Sequence, residues 1–155
     1  MKYWTGEGIT RLEPNQVFVF GSNPEGRHGA GAAKHAMKFG AVYGVGRGLQ
    51  GQTFALITKN LRPNSLCRVS GFRYDRYGRK SLTLDQIRYN VTEMYGTARE
   101  NPDKDFLVAY TPSDIESLCG YSPNQLIREC FLRCAGGVPS NIVFHEGFRT
   151  AIRQT

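Results

Sequence analysis

The chain has little of what would place it in the secreted, membrane or metal-binding classes. No window approaches the roughly 18 consecutive apolar residues of a membrane span, and the opening MKYWTGEGITRLEP has no apolar stretch of signal-peptide length. The expectation is a cytoplasmic protein with no membrane partner. There are only four cysteines, Cys67, Cys119, Cys130 and Cys134, and no close pair answers another close pair with histidines nearby, which argues against a zinc site. Cys130 and Cys134 fall four apart on a predicted helix, where they read as small core residues. No metal and no cofactor are expected. Linkers, internal repeats and low-complexity tracts are also missing. The 155 residues, 40% of them hydrophobic, therefore read as one domain spanning 1–155, with a core large enough to need no staples.

Charge is unevenly spread. The formal net charge is +7, but residues 60–82, NLRPNSLCRVSGFRYDRYGRKSL, hold Arg62, Arg68, Arg73, Arg76, Arg79 and Lys80 against the single acid Asp75. Basicity belongs to one segment, read as an insertion, and the remaining chain is close to neutral. Phe72, Tyr74 and Tyr77 alternate with arginines there, a pattern that suits a hairpin or an ordered loop.

Strand and helix signals alternate along the rest. QVFVFGSN (16–23) is a nearly continuous apolar run ending in turn formers, as expected of a strand buried on both faces. A glycine-rich loop leads to a short helix, AAKHAMKF (32–39), stopped by Gly40. A second glycine-rich stretch, GAVYGVGRGLQG (40–51), precedes a strand in QTFALITKN (52–60). Thr83 and Gln86 match a capping box, and Leu84, Ile87, Val91, Met94 and Ala98 recur at helical spacing, predicting a helix over 84–99. DFLVAYT (105–111) predicts a strand. Ser122, Pro123 and Gln125 signal another helix start; its apolar face of Leu126, Ile127, Cys130, Phe131 and Cys134 is ended by Gly136 and Gly137. NIVFH (141–145) is a last strand. The alternation predicts an α/β domain whose ligand lies at the carboxyl ends of strands. The loops after Phe20, after Thr111 and before Thr53 are therefore the candidates.

The first glycine-rich loop, FGSNPEGRHGAGAAKHA, places Gly29, Ala30 and Gly31 directly before a helix. Backbone N–H groups there suit a phosphate, although small residues also serve close packing or a bend. Two stricter motifs fail. Gly26 and Gly31 have P-loop spacing, but Ala32 and Ala33 stand where Lys and Ser/Thr are needed. A dinucleotide fingerprint would need glycine at Lys34 and an acid near Gln50 or Gln52.

The order VFVFGSN, HGAGAA, GLQGQTFALITK and, later, LCGYSPNQLIRECF resembles the macro domain-like proteins of bacteria and phages, relatives of the macro domains that bind ADP-ribose. The resemblance covers residues 16–60 well and 105–145 loosely, and it does not include the basic segment. It implies a three-layer sandwich with a mixed central sheet and helices on both faces. It also implies that Asn23 contacts the distal ribose, that Gly29, Ala30 and Gly31 lie against the diphosphate, and that Gly120 and Tyr121, in a second loop over 112–122, close over it. Glu7 is the loose counterpart of the Asp that receives the adenine amino group. The acid that activates water in macro domain hydrolases is replaced by Ala32, Ala33 and Lys34, and the acidic triplet of the glycohydrolase branch is absent.

The expected partner is thus an ADP-ribose-like small molecule or an ADP-ribosylated target, bound with little or no catalysis. One alternative is hydrolysis of an ADP-ribosyl or phosphate ester leaning on His28, which its neighbours Arg27 and Gly29 suggest is exposed in a loop. A second alternative is nucleic-acid binding through Arg68, Arg73, Arg76, Arg79 and Lys80 with the interleaved aromatics. A third use of the same arginines is to extend the pocket toward a phosphorylated ligand. Each residue also has a plainer reading. Asn23 is a turn former, Arg27 a solvated loop arginine, His35 a structural residue, His145 a strand cap, and the basic segment a solvated loop whose stems cover apolar surface.

Overall fold

The computed structural model describes residues 1–66, 71, 73–113 and 119–154. Cys67, Arg68 and Phe72, and residues 114–118 of the late loop, lie outside the described residues.

The architecture is mixed α/β. The elements are β1 (Tyr3–Trp4), β2 (Gln16–Ser22), α1 (Gly31–Ala36) with a 3-10 turn Met37–Phe39, β3 (Gly48–Gln50), β4 (Thr53–Ile57), β5 (Ser65–Leu66), β6 (Arg73–Tyr74), α2 (Leu84–Glu100), β7 (Asp105–Val108), α3 (Pro123–Leu126) continuing as a π-helical turn Ile127–Phe131, β8 (Ile142–His145), a 3-10 turn Glu146–Phe148, and α4 (Arg149–Arg153). Six strands form one sheet in the order β1-β8-β7-β2-β4-β3, all parallel except β3.

Strand β2 is central because its residues are apolar on both sides. Val17 and Val19 join the core that holds α2 and α3, while Phe18 and Phe20 join the core that holds Ala33 and Ala36 of α1. The same alternation divides β7, with Phe106 and Val108 on one side and Leu107 on the other, and β8, with Ile142 and Phe144 against Val143. Period-two alternation with both faces apolar demands cover on both faces, and the helices supply it. The chain leaves β2 for β4 on one side and later returns for β7 on the other. The carboxyl end of β2 is thus the point from which connections diverge, where an open α/β sheet leaves a crevice.

Helix α2 forms as its capping box predicts: Gln86 N donates to Thr83 Oγ1 at 3.1 Å and Thr83 N to Gln86 Oε1 at 2.8 Å. Ile87, Val91, Met94, Tyr95 and Ala98 are fully buried, each large side chain contributing roughly 1.5–3 kcal/mol of apolar burial. Other predicted elements are shorter than expected. The helix expected over 32–39 is α-helical only to Ala36, and the helix begun at Pro123 ends at Phe131, short of Gly136. Cys130 and Cys134 are buried in the core as expected.

Strand β3 has no counterpart in the sequence reading. GLQ pairs antiparallel with β4 across the two-residue turn Gly51–Gln52, a short hairpin hidden inside what reads as a glycine-rich loop. The basic segment does contain a hairpin, with Ser65 opposite Tyr74 and Leu66 opposite Arg73. Among the described residues, no helix is long and apolar enough to cross a membrane.

Candidate functional site

A cavity of about 560 Å³ opens at the carboxyl ends of the parallel strands β2, β4 and β7. Gly21, Ser22 and Asn23 from the end of β2, Thr58 and Lys59 after β4, and Ala109 and Tyr110 after β7 line its floor and sides. Residues 29–33 form one wall, Tyr43 and Leu61 lie at the rim, and the buried Cys119 completes the lining. A smaller depression of about 250 Å³ adjoins it, shares Gly31, Ala32 and Ala109, and reaches Gly8 and Ile9.

The wall built by residues 29–33 exposes backbone. Gly29, Ala30, Gly31 and Ala32 are all exposed, and the first intrahelical bond runs from Lys34 N to Ala30 O at 3.3 Å. The N–H groups of Gly31, Ala32 and Ala33 therefore have no acceptor within the helix. No side chain caps this helix start and its first turn carries no acid. This is the surface that suits an anion.

Asn23 lies at the cavity but its amide is already at work. Oδ1 accepts from Arg27 N at 3.0 Å and Nδ2 donates to Arg27 O at 3.1 Å, which closes the 23–27 loop and sets the start of the backbone wall. One lone pair and one N–H remain for a ligand. Arg27 also lines the cavity, with its guanidinium 3.0 Å from Glu25.

His28 requires a correction. It is 1% exposed, not a loop imidazole in solvent, and it is not part of the cavity lining. Its Nε2 donates toward the carbonyls of Val42 at 3.1 Å and Val45 at 3.2 Å, and its ring meets Phe20 edge to face. With Nε2 as the donor, the neutral tautomer leaves Nδ1 unprotonated, and that atom is buried without a partner. The neighbours Arg27 and Gly29 suggested exposure because nothing local announces that the loop 42–46 folds over them. Gln50 braces that loop, its Nε2 donating to Val45 O at 3.1 Å and its Oε1 accepting from Val42 N at 2.8 Å. A Cβ on Gly46 would fall 1.9 Å from Asn23 O, so this glycine serves the close approach of two backbones.

Gly120 and Tyr121 also depart from expectation. Neither lines the cavity; Cys119 does. Tyr121 is a core residue, its hydroxyl donating to Leu82 O at 2.7 Å, and Gly120 packs against Arg79 and Lys80. A tyrosine with one buried acceptor gains more from the core than from the rim. Glu7 is exposed and does not line either cavity, although its neighbours Gly8 and Ile9 reach the smaller one.

His35 is structural as expected, with Nε2 2.6 Å from Ile9 O. His145 caps the turn that follows β8, accepting from Gly147 N at 2.9 Å. Arg68 lies outside the described residues, whereas Arg73, Arg76, Arg79 and Lys80 are exposed outside the cavity.

The site contains residues that the sequence reading left without a role. Lys59 makes no hydrogen bond or ion pair among the described residues, yet it lines the cavity. Tyr110 and Thr58 form a hydrogen-bonded pair at the floor; burial pushes the Tyr110 phenol far above its usual range, Cys119 adds to the rise, and the Thr58 bond opposes it. Tyr43 is 62% exposed at the rim. The missed signal was strand direction. In a parallel sheet the residues after FALI reach the cavity, and the turn just before Thr53 lies at the far end, where Gln52 bonds Phe39 and the start of β2. Only Tyr43, carried back along antiparallel β3, returns to the site.

Comparisons with protein-family models, curated proteins and solved structures give no match to this chain.

Proposed function

We propose that the chain is a macro domain-like module that binds ADP-ribose or a related nucleotide diphosphate in this cavity, with little or no catalysis. The observation that carries the reading is the wall at residues 29–33. Exposed backbone and a helix start without a cap face a cavity of about 560 Å³, a volume in the range that takes a nucleotide-sized ligand. The N–H groups of Gly31, Ala32 and Ala33 take the diphosphate oxygens. Lys59, which has no partner among the described residues, supplies positive charge, since Arg27 is already paired with Glu25. Tyr43 offers an aromatic face at the rim.

What supports binding over hydrolysis is the chemistry of the lining. Its polar groups are backbone, the Asn23 amide, hydroxyls, a thiol, a lysine and an arginine, with no carboxylate among the described residues. The imidazole proposed to activate water is bonded elsewhere.

Calorimetry against ADP-ribose, NAD and ADP tests the reading, with Asn23→Ala and Gly31→Glu as weakened controls. Saturable binding of one of these nucleotides by the unmodified protein, reduced at least tenfold in Gly31→Glu, is expected. No heat and no displacement with any of the three would remove it.

A further inference from the structure

The basic segment begins and ends at the cavity. It leaves the cavity lining at Lys59 and Leu61. It returns at Lys80, whose N–H donates to the carbonyl of Cys119 at 2.7 Å, and Cys119 itself lines the cavity. A second tie lies between these ends: Arg62 Nε is 2.6 Å from one oxygen of Glu25, and the other oxygen of Glu25 is 3.0 Å from Arg27 of the cavity lining.

The segment is also built onto the domain. Asn60 is 1% exposed, and its Nδ2 lies at hydrogen-bond distance from the carbonyls of Arg62, Tyr74 and Arg76, the last at 2.7 Å. Asn60 O accepts from Gly78 N at 2.8 Å, and Asn60 N donates to Ser81 Oγ at 2.8 Å. Tyr74 is wholly buried. A loop serving only as a solvated connection has no need of this anchoring, which holds the backbone of a cationic surface in one place beside the cavity. On that surface Arg73, Arg76 and Lys80 are exposed, and Tyr77 is 64% exposed between them.

Cations at intervals around an exposed aromatic ring match the backbone charge and stacking needs of a single strand of nucleic acid. We infer that the ligand of the cavity is the 5′ end of a single-stranded nucleic acid carrying adenosine through a 5′–5′ diphosphate, with the following phosphodiesters running over Arg73, Arg76 and Lys80 and the next base on Tyr77. This rests on the nucleotide-diphosphate reading of the cavity. It places the cations of the cavity, Arg27 and Lys59, and those of the hairpin on one ligand. The terminal adenosine diphosphate occupies the cavity, and Lys59 stands where the strand leaves it.

The test is calorimetry, with a fluorescence competition assay, using three probes: free ADP-ribose, a 5′-adenylated single-stranded octanucleotide, and the same octanucleotide with a 5′-monophosphate. The adenylated strand is expected to bind at least tenfold tighter than ADP-ribose near 50 mM salt and to be displaced by ADP-ribose. Its dependence on salt is expected to be steeper than that of ADP-ribose by about 2 in the log–log slope, at about 0.7 per phosphate contacted. The Arg73→Ala/Arg76→Ala double variant, altered only at exposed positions, should lower the ratio of the two affinities about tenfold, and Tyr77→Ala about threefold. If ADP-ribose binds but the adenylated strand binds no tighter, the inference falls and the cavity reading stands. If the 5′-monophosphate strand binds as tightly as the adenylated one, or ADP-ribose fails to displace either, the hairpin binds strands apart from the cavity and the inference also falls. If neither ADP-ribose nor the adenylated strand binds, the cavity reading itself is lost.

Discussion

His28 Nε2 stands 3.1 Å from the carbonyl oxygen of Val42, and this contact joins the two glycine-rich loops into one wall. The same nitrogen reaches Val45 O at 3.2 Å, so a single buried ring ties the loop that starts the cavity wall to the loop that carries Tyr43. The conformation of the site therefore depends on a residue outside its lining.

Replacing His28 with Ala is expected to destabilise the protein by about 2–4 kcal/mol, combining a lost buried ring with the loss of its hydrogen bonding to the carbonyls of Val42 and Val45. Thermal unfolding measures it, and ligand binding should weaken in parallel because residues 23–31 lose their brace. A catalytic surface histidine would behave oppositely, with an unchanged unfolding temperature and a changed rate.

Gly21 is a place where an added methyl group would crowd the cavity floor. A Cβ there would sit 3.0 Å from Thr58 Oγ1 and 3.1 Å from the Tyr110 hydroxyl. Gly21→Ala should cost about 1–3 kcal/mol by overpacking and reduce nucleotide affinity. Tyr110→Phe in the same background should recover part of the stability, since it removes one of the crowded atoms. Denaturant unfolding of the single and double variants, compared as a cycle, reads the coupling.

Alkaline pH should destabilise the fold in two stages. Burial raises Cys130 from 9.0 to about 12, and raises Tyr95 and Tyr110 above the ordinary 10.0. In the unfolded chain these groups lose protons near their ordinary values, while the native state keeps them, so the unfolded state binds fewer protons and stability falls as pH rises. No penalty from these groups exists below about pH 8. The decline starts near pH 9 with Cys130 and Cys134, both raised by burial, and steepens above pH 10 as the tyrosines join, at about 1.4 kcal/mol per pH unit for each fully buried group. Urea unfolding from pH 7 to 11 measures the slope, and Cys130→Ala should flatten its first part.

Asn60→Ala should loosen the basic hairpin. Three carbonyls lose a shared donor, an expected cost of about 1–3 kcal/mol. Proteolysis of the native protein, followed by mass spectrometry, should show new cleavage within residues 62–79 before the rest of the chain is cut.

The sequence by itself determined the elements whose physics is local. The capping box at Thr83 and Gln86, the helical spacing from Ile87 to Ala98 and the apolar runs at 17–20, 54–57, 106–108 and 142–144 each name an element and its buried face, because propensity, capping and periodicity act within a few residues. They also determined that an α/β sheet would have covered faces and that the small residues 29–31 would lie directly before a helix. Tertiary structure decided everything that depends on which segments meet. It made Lys59 a cavity residue through the parallel direction of β4, buried His28 under a loop fourteen residues away, and moved Tyr121 into the core away from the cavity, which the neighbouring buried Cys119 lines instead. These outcomes follow from backbone groups seeking partners and apolar surface seeking cover across long separations, which no window of neighbouring residues records.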